Sequence, residues 1–134
     1  MTDAPDRPFS ALDFPADLRA AQRTAAELYA ALHTYQATLP WSREPHPGWP
    51  EDTERGTKSR QRSATDGWSP DQAAEYDRLF AELRAATAAV QCDPWWKRCK
   101  HEGITGADLV ATRQALKRAE GAVPLGQDDV AQTA

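Results

Sequence analysis

Cys92, Cys99 and His101 put three soft, metal-ligating side chains into one short window. Structural zinc sites take four such ligands and usually open on two Cys only two residues apart. Here six residues separate the thiols, and the remaining His33 and His46 lie far away in sequence. The spacing therefore predicts two ordinary thiols beside a buried Trp95–Trp96 pair, with no metal ligands. A zinc-stabilised segment is the alternative. A disulfide is not expected either. If the intervening segment is helical, the two Cys stand about two turns apart, roughly 10 Å, beyond bridging range.

Residues suited to acid–base work are present but not gathered. His33 follows Tyr29 by four residues, a base with an orienter but without a nucleophile. Asp71, Glu75 and Glu82 are interleaved with Arg78 and Arg84, the pattern of a solvated, ion-paired helix face. There is no phosphate-cradling Gly-rich loop, no nucleophile elbow and no His-Glu-x-x-His. We therefore expect no enzyme, no catalytic residues and no cofactor.

The richest surface chemistry is basic and aromatic. Lys97, Arg98, Lys100, Arg113, Lys117 and Arg118 face only Glu102 and Asp108 over the same stretch. If the segment after Asp93 folds beside the helix that follows, these cations share a face next to Trp95 or Trp96. Trp95, Trp96, Lys97, Arg98, Lys100, Arg113 and Lys117 are thus the expected partner-binding residues. Phosphates or an acidic protein would be attracted there. The simpler reading is that cations near a helix C-terminus satisfy carbonyls and the dipole. Pro47-Gly48-Trp49-Pro50 has the spacing of a proline-rich ligand. A strap across the protein's own helices explains the same residues, and is preferred.

Two apolar stripes must position all of this. Leu18, Ala21, Ala25, Leu28, Leu32, Tyr35 and Leu39 recur at alternating three- and four-residue steps. Tyr76, Leu79, Leu83, Ala86 and Val90 do the same. Each stripe needs a partner to escape water, and the two are expected to pack together. The spacing predicts an all-α fold: an antiparallel pair of long helices over about 15–39 and 70–91, and a shorter third helix over about 106–120. Pro15 opens the first helix and Pro40 closes it. Ser69, Pro70 and Gln72 form a capping box for the second. One or two helical turns are expected between Asp93 and His101. Thr105 caps the third helix, with Ile104 and Leu109 as its hydrophobic staple. Gly121 and Pro124 end it.

The connection from Pro40 to Trp68 is long and rich in Pro and Trp. Residues 41–50 are expected as a strap with Trp41 and Trp49 as anchors, and 51–67 as a mobile loop. Residues 1–13 read as a flexible leader, 14–120 as one helical domain and 121–134 as a flexible tail.

Composition narrows the class. The 134 residues carry a formal net charge of −4, which argues against a chain basic throughout and still permits a local basic patch. With two Cys, no signal segment and no apolar run of membrane-spanning length, a reduced, cytoplasmic protein without a membrane partner is expected. Much of the apolar count is Ala, which buries little surface. Dimerisation in coiled-coil fashion would supplement so thin a core.

The cadence of Leu39-Pro40-Trp41-Ser42, Pro47-Gly48-Trp49, Asp93-Pro94-Trp95 and Val110-Ala111-Thr112-Arg113-Gln114-Ala115-Leu116-Lys117 resembles small uncharacterised helical proteins of actinomycetes. The likeness spans most of residues 15–120. It brings no activity and no functional residues, and it implies an accessory protein of the bacterial cytoplasm. The resulting expectation is a non-enzymatic protein-interaction or accessory protein, its partner another protein or a second copy of itself. Nucleic-acid binding through residues 95–118 is the alternative.

Overall fold

Where helices start and stop here follows from prolines, caps and competing side chains. The computed structural model describes residues 8–50 and 61–124. Four helices stand among the described residues: α1 (Ala16–Gln36), α2 (Pro70–Gln91), α3 (Pro94–His101) and α4 (Gly106–Leu116). Beyond them, two isolated antiparallel bridges, His46 with Thr65 and Trp49 with Arg62, are the only β-pairing among the described residues. The two long helices pack together, and α3 with α4 forms a bent third segment.

α1 stops three residues short of the expected Leu39. The Thr38 hydroxyl donates to the Tyr35 carbonyl at 2.6 Å, and the Thr38 and Leu39 amides turn back by three residues to Tyr35 and Gln36. A Thr side chain that bonds nearby backbone competes with the helical ladder, and here it ends it before Pro40 is reached. α2 begins as the capping box requires. Its Gln72 amide donates to Ser69 Oγ at 3.1 Å, and the Ser69 amide donates to Gln72 Oε1 at 2.9 Å. The turns expected after Asp93 form a full eight-residue helix, because Asp93 caps it by accepting the Trp95 amide at 2.9 Å and Pro94 occupies the first turn. α4 starts at Gly106 behind its Thr105 cap, as expected, and is a correction at its far end. Thr105 has the extended backbone of a cap, but its hydroxyl makes no capping bond. The helix ends at Leu116, not near residue 120, where the Lys117, Arg118 and Ala119 amides tighten to three-residue turns.

The chain divides into two units, residues 1–30 with 82–134, and residues 31–81. The first unit holds the apolar core. Leu18 and Cys99 are fully buried, joined by Phe14, Ala25, Val90, Trp96, Leu116 and Ala122. The first half of α1 and the second half of α2 thus share one core, the antiparallel sense expected. Both ends of the described chain also enter it. Phe9 meets Trp95 at 5.2 Å with the rings tilted, the Trp95 indole N–H donates to the Ala11 carbonyl, and Ala122 is buried in the turn after α4. Residues 8–13 and 121–124 are therefore tied down, which differs from a flexible leader and tail. The outer parts of those expectations, 1–7 and 125–134, lie outside the described residues.

In the second unit Leu32 and Leu79 are buried and Tyr35, Leu39 and Tyr76 half-buried. The remainder is a clip. His46 and Thr65 exchange backbone hydrogen bonds at 2.9 Å, as do Trp49 and Arg62. Residues 61–67, expected to be mobile, are one side of this clip; 51–60 lie outside the described residues. The clip has two required glycines. A Cβ on Gly48 would stand 2.3 Å from the Arg62 carbonyl oxygen, and one on Gly67 would stand 2.6 Å from that of Arg43. Both residues have φ near +80°, which only Gly adopts at little cost.

Candidate functional site

The expected basic-aromatic surface is only partly assembled. Trp96, 3% exposed, donates its indole N–H to the Val90 carbonyl and meets Phe14 edge-on. Trp95 is half-buried under Phe9. The pair is thus turned towards the core, as expected for rings beside the two thiols, and Trp96 offers no outward stacking face. An eight-residue helix has two turns in which to bury adjacent rings, and the Val90 and Ala11 carbonyls satisfy their N–H groups on different sides.

The cations separate into two kinds. Lys97, Lys100 and Lys117 are exposed and have no ion pair among the described residues. Arg98 pairs with Glu102 at 3.1 Å and lies over the Phe9 ring at 5.0 Å. Arg113 is half-buried, with its guanidinium 4.7 Å above the centre of Trp96. Arg113 and Trp96 are thus brought together as the sequence suggested, with the indole as the floor beneath the cation.

Trp96, Arg113 and Lys117 line one groove of about 640 Å³ in the first unit. Its apolar surface comes from Ala25 and Ala26 of α1, Leu83 and Val90 of α2, Leu116 of α4, and Val123 with Pro124 beyond it. Gln22, Thr87, Gln91 and Gln114 supply neutral polar groups, and Tyr29 a phenol. Among the described residues no Asp or Glu lines it. The α1 and α2 contributions were not foreseen, because Ala25, Leu83 and Val90 read from the sequence as stripe residues that only seal the helix pair, with no signal of a cleft.

Cys99 lies in the same core. Burial pushes its thiol up, while Arg113 and Arg98 pull the other way. A fully buried, protonated thiol is a poor ligand and a poor nucleophile. Cys92 is exposed, and both cysteines are free. No grouping of three or more His, Cys, Asp or Glu able to hold a metal ion occurs among the described residues. His33 and Tyr29 are both exposed.

The second unit presents a different surface. Trp41, His46 and Trp49 meet pairwise at 5.0–5.6 Å, all edge-on. Trp41 also donates its indole N–H to the Ser63 carbonyl and carries the Arg62 guanidinium at 5.6 Å. Residues 41–50 were expected as a strap anchored by its Trp rings. Instead the rings pack on each other and on the returning chain. Arg43 joins this unit's helix by a two-pronged bond to Asp77 at 2.8 and 2.9 Å, and lies over Trp68. That pairing raises the Arg43 guanidinium and holds the Asp77 carboxyl below its usual range. Glu75 is likewise lowered by its two bonds from Arg78, in keeping with the ion-paired face read from the sequence. Trp49 closes the cluster on the outside, 42% exposed.

No helix among the described residues is long and apolar enough to cross a membrane. Neither a curated protein nor a solved structure matches the chain. One family model matches residues 17–119, from the first turn of α1 to just past α4. The chain therefore belongs to the family described as a domain of unknown function, DUF8825.

Proposed function

We propose that this domain is a non-catalytic interaction module of the cytoplasm that receives a protein partner on the clip of the second unit. The observation that carries this reading is Trp49. The residue is partly exposed on the outer side of its ring cluster, yet its backbone is bonded on both its amide and its carbonyl to Arg62, beside a glycine that no other residue replaces. Single exposed apolar side chains are ordinary. A Trp held outward by so restrained a loop is the arrangement of a recognition element on a rigid scaffold. Trp and Arg are also the residues most often found as energetic anchors of interfaces, and Arg62 stands beside it. The role agrees with the accessory character implied by the resemblance to actinomycete proteins.

The test is affinity capture from the native host with the parent protein, Trp49→Ala and Lys97→Ala. A specific partner retained by the parent and by Lys97→Ala, and lost with Trp49→Ala at unchanged circular dichroism, is the expected result. The same set of captured proteins with all three would overturn the reading. Sedimentation of the purified protein tells whether the partner is a second copy.

A second reading has its own support. Lys97, Lys100 and Lys117 are exposed cations without ion pairs among the described residues. They suit contact with nucleic-acid phosphates. With Trp95 and Trp96 turned inward, such binding would lack base stacking and depend steeply on salt. An unchanged mobility of DNA and RNA at low salt would dispose of it.

A further inference from the structure

We propose that the groove of the first unit is a binding site for a small amphipathic carboxylate: one carboxylate group on an aliphatic or flat aromatic body. This site is separate from the partner surface argued above, and neither depends on the other.

Charge is the first argument. The whole chain has a formal net charge of −4, yet the groove is lined by two cations and, among the described residues, by no acid. Arg113 and Lys117 are four residues apart, so their side chains rise from the same face of α4 and its last turn. Arg113 is half-buried and has no carboxylate partner among the described residues. A guanidinium removed from water is ordinarily paired, because its five donors form a fork that matches a carboxylate. Here the guanidinium is held over Trp96, 4.7 Å from the ring centre, which leaves the role of counter-ion open.

Shape is the second argument. Ligand clefts of about 300–1,000 Å³ with apolar walls and a few polar groups hold small molecules. At about 640 Å³ this groove falls within that range. Ala25 and Leu83 sit where an apolar body would lie, and the Trp96 ring forms the wall below the cation. A single carboxylate matches the fork of one guanidinium, with Lys117 as the second cation at the rim. A cationic ligand meets the wrong sign of charge.

The experiment is a titration of the full ¹⁵N-labelled chain with sodium decanoate below its micelle concentration, against decan-1-ol and decylamine. The readouts are the Trp96 indole N–H resonance and calorimetry. Saturable one-to-one binding of decanoate that shifts the Trp96 resonance is expected. With the charge-assisted bond absent, decan-1-ol should bind about tenfold more weakly. Decylamine should not saturate. Lys117→Glu, an exposed position where folding is safe, should weaken decanoate by about tenfold or more, and Arg113→Gln by a similar factor. Lys97→Gln, outside the groove, should leave it unchanged. Equal affinity for decanoate and decan-1-ol would overturn the carboxylate assignment. No saturable shift at millimolar decanoate would overturn the site. A dimer that Lys117→Glu dissociates and decanoate does not would give the groove to a second copy of the chain, and overturn it too.

Discussion

The two units reach order by opposite means. The first relies on buried apolar surface: Leu18, Leu116 and Cys99 are its fully buried side chains, and Trp96 joins them with its N–H satisfied. The second buries little beyond Leu32 and Leu79. It depends on backbone bonds across the clip, on two glycines, on rings meeting edge-on and on guanidinium groups over indoles. Apolar burial is insensitive to small shifts in direction, whereas hydrogen bonds and close backbone approaches fail over fractions of an ångström. The first unit should therefore set the global stability, and the second should respond locally.

That contrast can be broken. Leu18→Ala removes a fully buried side chain, and by the cost of core truncation it should lower unfolding stability by about 3–5 kcal/mol in a denaturant titration. A loss under 1 kcal/mol, within ordinary surface variation, would mean that the first unit is not the stabilising core. Gly48→Ala comes next. It forces a left-handed backbone on Ala and a Cβ into the Arg62 carbonyl, for an expected cost of about 1–3 kcal/mol. Its effect should fall on the clip. Amide exchange at Trp49 and Arg62 should accelerate, while exchange at Leu18 and Leu116 stays as it was. Uniform acceleration through both units would show that they open as one.

Smaller effects sharpen the picture. Ser69→Ala removes one half of the capping box and should cost about 1 kcal/mol by thermal melting. The smallest effect is one of pH. Arg43 holds the Asp77 carboxyl below its usual range in the folded chain. A depressed carboxyl stabilises the fold above its unfolded value, and that contribution is lost as pH falls through the folded one. Acidification below the ordinary carboxylate range should thus loosen the clip before the core, seen as a shift of the Trp68 indole resonance. Asp77→Asn should abolish that step. A step that persists in the variant would assign it to another carboxyl, with Glu75 the next to replace.

What the sequence disclosed and what it hid divides along the same line. Ser69, Pro70 and Gln72 are neighbours, so their capping box was legible in the chain, as were Asp93 and Pro94 at the start of α3. The stripes through Leu18 and Val90 were legible because burial repeats with the helical period. The clip was not. Its bonds join His46 to Thr65 and Arg43 to Asp77, across separations where no local pattern links the partners. Of the expected surface, Lys97, Lys100 and Lys117 are exposed. That Trp95 and Trp96 turn inward was legible from their apolar area, but the Ala11 and Val90 carbonyls that satisfy their N–H groups were not. The groove around Arg113 was invisible for a related reason: its walls come from four separate stretches of chain, and no local pattern links them.

One contact in the clip fixes a proton. The Gly48 amide donates to Nδ1 of His46 at 2.9 Å, so that nitrogen presents its lone pair inward and the neutral imidazole must bear its hydrogen on Nε2. The ring is thereby committed to a single tautomer, wedged between two indoles. A nitrogen-detected spectrum of the imidazole, rather than any assay of binding, would report directly whether the turn at Pro47 and Gly48 is closed.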